Sequence, residues 1–170
     1  FNNTFTMIGS RSNAITLQGG SNSTNISENT IETSGAQAAG ISFFPSSHNI
    51  LSNNFIKTSG SAANGIFLRS AHNNTFTNIN ITIAGSGQGI QLLQVLPTGE
   101  DTGVSGNIFF NLTLQTASND SIFDFSSPGG ASAFSNNTLL FNGTFGMINW
   151  TKSNISTNMS LLPGQTIFIL

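Results

Sequence analysis

The chain has 170 residues, six acidic and four basic, giving a net charge of −2 and only 6% charged residues. Ordinary soluble domains carry about 25%; here 23 Asn, 24 Ser and 19 Thr take the place of the missing charge. Four scattered cations (Arg11, Lys57, Arg69 and Lys152) leave no electrostatic footprint for nucleic acid, no apolar run is long enough to span a membrane as a helix, and zero Cys excludes disulfides and thiolate metal sites. Leu, Ile, Val and Phe still make up about 28% of the chain, too much for a disordered segment.

In chain order, three phrases recur. The first places a turn-type or small residue before Ile-x-apolar. It reads Asn13-Ala14-Ile15-Thr16-Leu17, Ala39-Gly40-Ile41-Ser42-Phe43, Asn64-Gly65-Ile66-Phe67-Leu68 and Gln88-Gly89-Ile90-Gln91-Leu92, and continues at Ile122, Ile148 and Ile167. The second is Asn2-Asn3-Thr4-Phe5, Glu28-Asn29-Thr30-Ile31, Ser52-Asn53-Asn54-Phe55, Asn73-Asn74-Thr75-Phe76 and Asn136-Asn137-Thr138-Leu139. The third, Ile79-Asn80-Ile81-Thr82-Ile83, Phe110-Asn111-Leu112-Thr113-Leu114 and Phe141-Asn142-Gly143-Thr144-Phe145, recurs every 31 residues. Each alternates apolar or Gly with Asn or Thr, the period-2 pattern of a half-buried strand. It is expected to turn Asn80, Asn111 and Asn142 outward, with Ile79, Phe110 and Phe141 pointing in. Phe5, Phe55 and Phe76 occupy equivalent places in the second phrase and are expected to stack as rings inside.

Helix evidence is poor, because Asn, Ser, Thr and Gly favour turns and compete with helical hydrogen bonds. Short strands between turns, repeating every 19 to 32 residues, describe a β-solenoid whose coils bury their inward faces only by stacking. The expected fold is all-β: a single-stranded right-handed parallel β-helix of about seven coils, a rod of roughly 34 Å at the spacing between neighbouring strands. One inserted loop is expected near residues 93–107, and residues 1–170 read as one domain. With Phe1 already inside a repeat, and neither an initiator Met nor a signal peptide before it, the chain reads as a processed protein or a segment of a longer one.

The alternation of Asn-Asn-Thr-Phe/Leu with Gly-Ile-x-Leu resembles the right-handed parallel β-helix repeat of NosD-like periplasmic proteins and archaeal surface proteins. The resemblance covers essentially the whole chain. It implies the fold far more than an activity, since related coils serve lyases, adhesins and envelope proteins alike.

Catalysis on such a scaffold would need clustered carboxylates or a carboxylate with a cation. Glu28 and Glu32 lie four apart, as do Asp120 and Asp124, so that each pair could face one way; Glu100 and Asp101 fall in the expected loop. No Lys, Arg or His completes either pair in sequence. His48 and His72 are 24 residues apart and could stack on neighbouring coils; the resemblance to NosD-like proteins, which are associated with copper handling, makes a two-His site conceivable, but two ligands with scattered Met make a poor metal shell. We therefore assign no catalytic residue, no metal and no cofactor.

The strongest signal is Asn-x-Ser/Thr, the N-glycan acceptor pattern of secreted proteins. It occurs at Asn2, Asn22, Asn25, Asn73, Asn80, Asn111, Asn119, Asn136, Asn142, Asn149, Asn154 and Asn158, twice what chance predicts from the Asn, Ser and Thr content. A competing reading makes Asn2, Asn73 and Asn136 turn or ladder residues, since stacked coils let amides hydrogen-bond one above another. Crowding between coils about 4.8 Å apart leads us to expect occupancy of only about half. Neither end carries a cap helix or charged guard, which is expected for stacking on other subunits or for a chain that continues. The expected protein is a non-enzymatic extracellular structural glycoprotein that stacks into a filament, sheath or surface layer. The alternatives are a β-helical adhesin or carbohydrate-binding domain, or a NosD-like accessory protein. The low charge follows from stacking, because like charges at equivalent positions of adjacent coils repel.

Overall fold

Alternation of apolar residues with Asn, Ser and Thr produces strands of two to nine residues, and no helix occurs among the described residues. The computed structural model describes residues 1–93 and 103–116 and five further strands, Phe123–Ser126, Phe134–Phe141, Met147–Thr151, Ile155–Leu161 and Phe168–Ile169; side chains are described for 1–93 and 103–115. Every strand pairing is parallel, and each connects a strand to its equivalent one coil away. The fold is a parallel β-solenoid.

Each coil has three strand faces. The first stacks Ile15–Asn22, Ile41–Ser47, Ile66–Arg69 and Ile90–Leu93, with Ile15, Ile41, Ile66 and Ile90 in register. The second stacks Asn25–Ser27, Ile50–Ser52, Thr75–Thr77 and the start of Ile108–Thr116. The third stacks Thr4–Met7, Thr30–Thr33, Phe55–Thr58, Asn80–Ile83 and the end of Ile108–Thr116. Inward columns such as Ile31, Ile56, Ile81 and Leu114, or Ile26, Leu51, Phe76 and Phe109, are buried and form one continuous core.

The coil count differs from the seven expected. On the third face the register Phe5–Ile31–Ile56–Ile81–Leu114 links five levels by about four full turns of chain, near 19 Å of rod. The Ile phrases followed the first face alone, whose backbone column continues through Phe123, Ile148 and Ile169, whereas the coils described on all three faces number about four. The register also corrects two members of that phrase: Ile90 pairs with Phe123 rather than Ile122, and Ile148 with Ile169 rather than Ile167. Adjacent apolar residues leave a one-residue ambiguity that backbone pairing resolves.

The loop expected at 93–107 overlaps described strand and buried residues at both ends. Leu93 ends a strand, Ser105 pairs with His72 in the column that continues the end of the first-face strands through Ser47, and Val104 and Asn107 are fully buried. Residues 94–102 lie outside the described residues. The register also shifts the third phrase: Asn80 pairs with Thr113 and Ile81 with Leu114, an interval of 33 rather than 31. The two-residue shift preserves alternation but places Phe110 outward at 47% exposure, while Ile79 and Leu112 fill the core.

The third and first faces are joined by a turn rich in Gly, Ser and Ala, at 34–40 and 59–65 for example. A Cβ at Gly60 would meet the carbonyl oxygen of Gly35, and one at Gly85 that of Gly60, so stacked turns approach closely enough to require glycine there.

Candidate functional site: the asparagine-rich side

Two turns per coil join the three faces on the other side, and they obey one local rule. A residue in the left-handed conformation is followed by one whose side chain points into the coil. At the first turn the left-handed residues are Ser23, His48, Asn73 and Gly106; five residues on, at the second, they are Glu28, Asn53, Asn78 and Asn111, with Asn2 one coil earlier. Their φ values lie between 52° and 67°, where asparagine and glycine pay the least among the common residues. The next residue is Thr24, Asn49, Asn74 or Asn107 at the first turn, and Asn3, Asn29, Asn54, Ile79 or Leu112 at the second.

These following asparagines form two ladders. At the first turn, Asn74 Oδ1 accepts from the backbone N–H of Asn49 at 2.9 Å and its Nδ2 at 3.0 Å, and Asn107 Oδ1 does the same for Asn74. The second hydrogen of each amide goes to a carbonyl of the preceding coil: Asn49 to Ser21, Asn74 to Ser46 and Asn107 to Ala71. At the second turn, Asn54 serves Asn29, and Asn29 serves Asn3, in the same way. Buried turns therefore keep their backbone donors paired without a strand partner.

The acceptor asparagines are a separate population. All six with described side chains, Asn2, Asn22, Asn25, Asn73, Asn80 and Asn111, are exposed. Asn29, Asn49, Asn54, Asn74 and Asn107, all buried, lack Ser or Thr two residues on. Asn2 and Asn73 are turn residues; the ladder runs through their neighbours Asn3 and Asn74. Among the described acceptors, Asn22 Oδ1 accepts from Ser47 N and Oγ, and Asn111 Nδ2 donates to Asn78 Oδ1 at 2.7 Å. Asn119, Asn142 and Asn154 lie outside the described residues, and Asn136, Asn149 and Asn158 are placed in strands by their backbone alone. Asn2, Asn73 and Asn111 lie at the two turns, Asn25 and Asn80 on the second and third faces, and Asn22 at the end of a first-face strand beside the first turn.

The other candidates are dispersed. His48 is an exposed turn residue, while His72 is half-buried on the adjacent coil with Nδ1 2.8 Å from Ser105 Oγ. Their link is backbone, His48 N–H to His72 O at 3.1 Å. Burial lowers the His72 pKa from its ordinary value. Among the described residues no three His, Asp or Glu side chains gather as metal ligands. Glu28 sits at a turn, and Glu32 lies on the third face in register with Lys57, an opposite charge one level away. Glu100, Asp101 and Asp120 lie outside the described residues. Arg69 covers the Phe44 ring at 4.5 Å.

Of the three rings expected inside, Phe76 is in the stack but with other partners: it lies on Phe109 with centroids 4.6 Å apart and nearly parallel, and meets Phe43 edge-on at 5.4 Å. Phe55 points outward, and Phe5 belongs to the Ile31 column. The second phrase thus falls on two different turns, Asn73-Asn74-Thr75-Phe76 on the first and the Phe5 and Phe55 copies on the second. Their common αL-Asn rule makes them look alike in sequence. Sequence reasoning named the ladder only for Asn2, Asn73 and Asn136; the signal for its true members was Asn directly after a turn residue, with no Ser or Thr two positions on.

Among the described residues no helix is long and apolar enough to cross a membrane. The family model for the right-handed β-helix region matches residues 1–160. No match was found among curated proteins or solved structures. Nearly the full length of the chain fits the family's repeat, and its parallel coils have the family's architecture: the chain belongs to the right-handed β-helix family.

Proposed function

We propose that this is a non-enzymatic structural glycoprotein of the cell exterior, built to stack into a filament, sheath or surface layer. The observation that carries the reading is that every described acceptor is exposed, while the buried ladder is built from asparagines lacking the acceptor pattern. Alternation by itself puts a core residue (Ile31, Leu51, Ile56, Phe76 or Phe109) two positions after each buried ladder asparagine, so the weight of the reading falls on the exposure of all six described acceptors. Low charge supports the same reading. Arg11 meets Gln37, Glu32 lies beside Lys57, and Glu28 stands between Asn2 and Asn53, so no like charges face each other on adjacent levels among these columns.

The adhesin reading rests on outward apolar residues, Ile50, Phe55, Ile108 and Phe110. Thr75, Thr77 and Asn80 occupy the level between them, so these residues do not join into one aromatic groove. Purified protein from its native source tests the proposal. Glycopeptides in mass spectrometry and polymers in negative-stain microscopy and sedimentation are the expected result. Unglycosylated monomers would overturn it.

A further inference from the structure

We infer that the acceptors form a staggered array in which all six described sites carry a glycan at once. The inference rests on the glycoprotein reading above and adds a rule about which sites coexist. Parallel register defines columns: residues in one column stand about 4.8 Å apart on successive levels, too close for sugars leaving in the same direction. Asn22 has Ser47 and His72 on the following levels of its column, and Asn25 has Ile50 and Thr75. Asn73 follows His48 in the left-handed column, and Asn80 lies between Phe55 and Thr113. Only Asn2 and Asn111 share a column. Glu28, Asn53 and Asn78, none an acceptor, separate them by four levels, about 19 Å.

No described acceptor therefore lies directly above or below another. The level of Asn49, Asn53 and Asn54 has three asparagines and no acceptor, between the level of Asn22 and Asn25 and that of Asn73 and Asn80. The crowding that suggested half occupancy is absent from the register.

In the transfer, Nδ2 gives up one hydrogen as a proton and bonds to the anomeric carbon of an activated glycosyl phosphate or pyrophosphate donor. The carbon–oxygen bond to phosphate breaks, and its electron pair leaves on the phosphate. The remaining Nδ2 hydrogen keeps the Asn111 bond to Asn78 available.

Two single substitutions test the rule in a secreting, N-glycosylating host, with occupancy read site by site on the secreted, folded protein. Ile50→Asn creates an acceptor before Leu51-Ser52 and one level from Asn25, at a position already 49% exposed. Lys57→Asn creates one before Thr58-Ser59 in a column otherwise free of acceptors, Thr6, Glu32 and Thr82. The unsubstituted protein is expected to carry glycans at all six sites on the same molecules. Lys57→Asn adds one more, whereas Ile50→Asn adds none, its new site and Asn25 excluding each other. Molecules carrying both glycans in the Ile50→Asn protein, or mutually exclusive sites in the unsubstituted protein, would overturn the staggering and leave the glycoprotein reading intact. No glycan at any of the six would overturn both.

Discussion

Asn73 and Asn74 are chemically identical neighbours with opposite roles, and replacing each with Ala separates them. Asn74 is fully buried. Its removal leaves the Asn49 N–H and one Asn49 amide hydrogen without an acceptor, and takes a donor from Asn107 Oδ1 and Ser46 O. A buried donor left unpaired costs about 1–3 kcal/mol, so two give about 2–6 kcal/mol, and we expect Asn74→Ala to cost about 4 kcal/mol. For a chain of this size that lowers the melting temperature by roughly 10 °C. Asn73 is exposed at φ 53°, and Ala there pays only the left-handed backbone penalty, about 1 kcal/mol, while Asn73→Gly stays near wild type. Thermal and urea unfolding followed by circular dichroism measure all three. Equal losses for Asn74→Ala and Asn73→Ala would refute the ladder as a source of stability.

Other perturbations have defined outcomes. His72 has a folded pKa depressed below 6.5 by burial, so the unfolded chain takes up its proton first; stability holds above pH 6.5 and falls as pH drops from there through the folded value. Urea titrations on both sides of that pH should show this dependence, and His72→Gln should remove its share of it. Phe76→Ala, which vacates the ring stack with Phe109 and Phe43, should cost about 3–5 kcal/mol, whereas Phe55→Ser on the outer face should cost about 1 kcal/mol or less; calorimetric melting distinguishes them. Gly60→Ala drives a methyl group into the Gly35 carbonyl of the adjacent coil and should destabilise by about 1–3 kcal/mol, measured in the same melts. An equally stable Gly60→Ala protein would contradict the close stacking of the turns.

The parallel β-solenoid was legible in the sequence because its causes are local and repeated. Alternation around Ile15, Ile41, Ile66 and Ile90 marks a strand whatever its partner, and spacings of 24 to 26 residues between them leave room for one coil. Exposed acceptors were legible for the same reason, since alternation sends Asn25 and Asn80 outward opposite Ile26 and Ile81. Tertiary structure alone decided register. Asn-Asn-Thr-Phe is written alike on two turns because both need a left-handed residue followed by a buried amide, and only the pairing of Phe76 with Leu51 and Phe109 tells which turn it builds. The 33-residue step at Asn80–Thr113 is likewise decided by backbone pairing, where the local phrases by themselves repeat at 31. Periodicity is a property of neighbouring residues; which asparagine lies over which, and so which is ladder and which is free to carry a sugar, is a property of the stack.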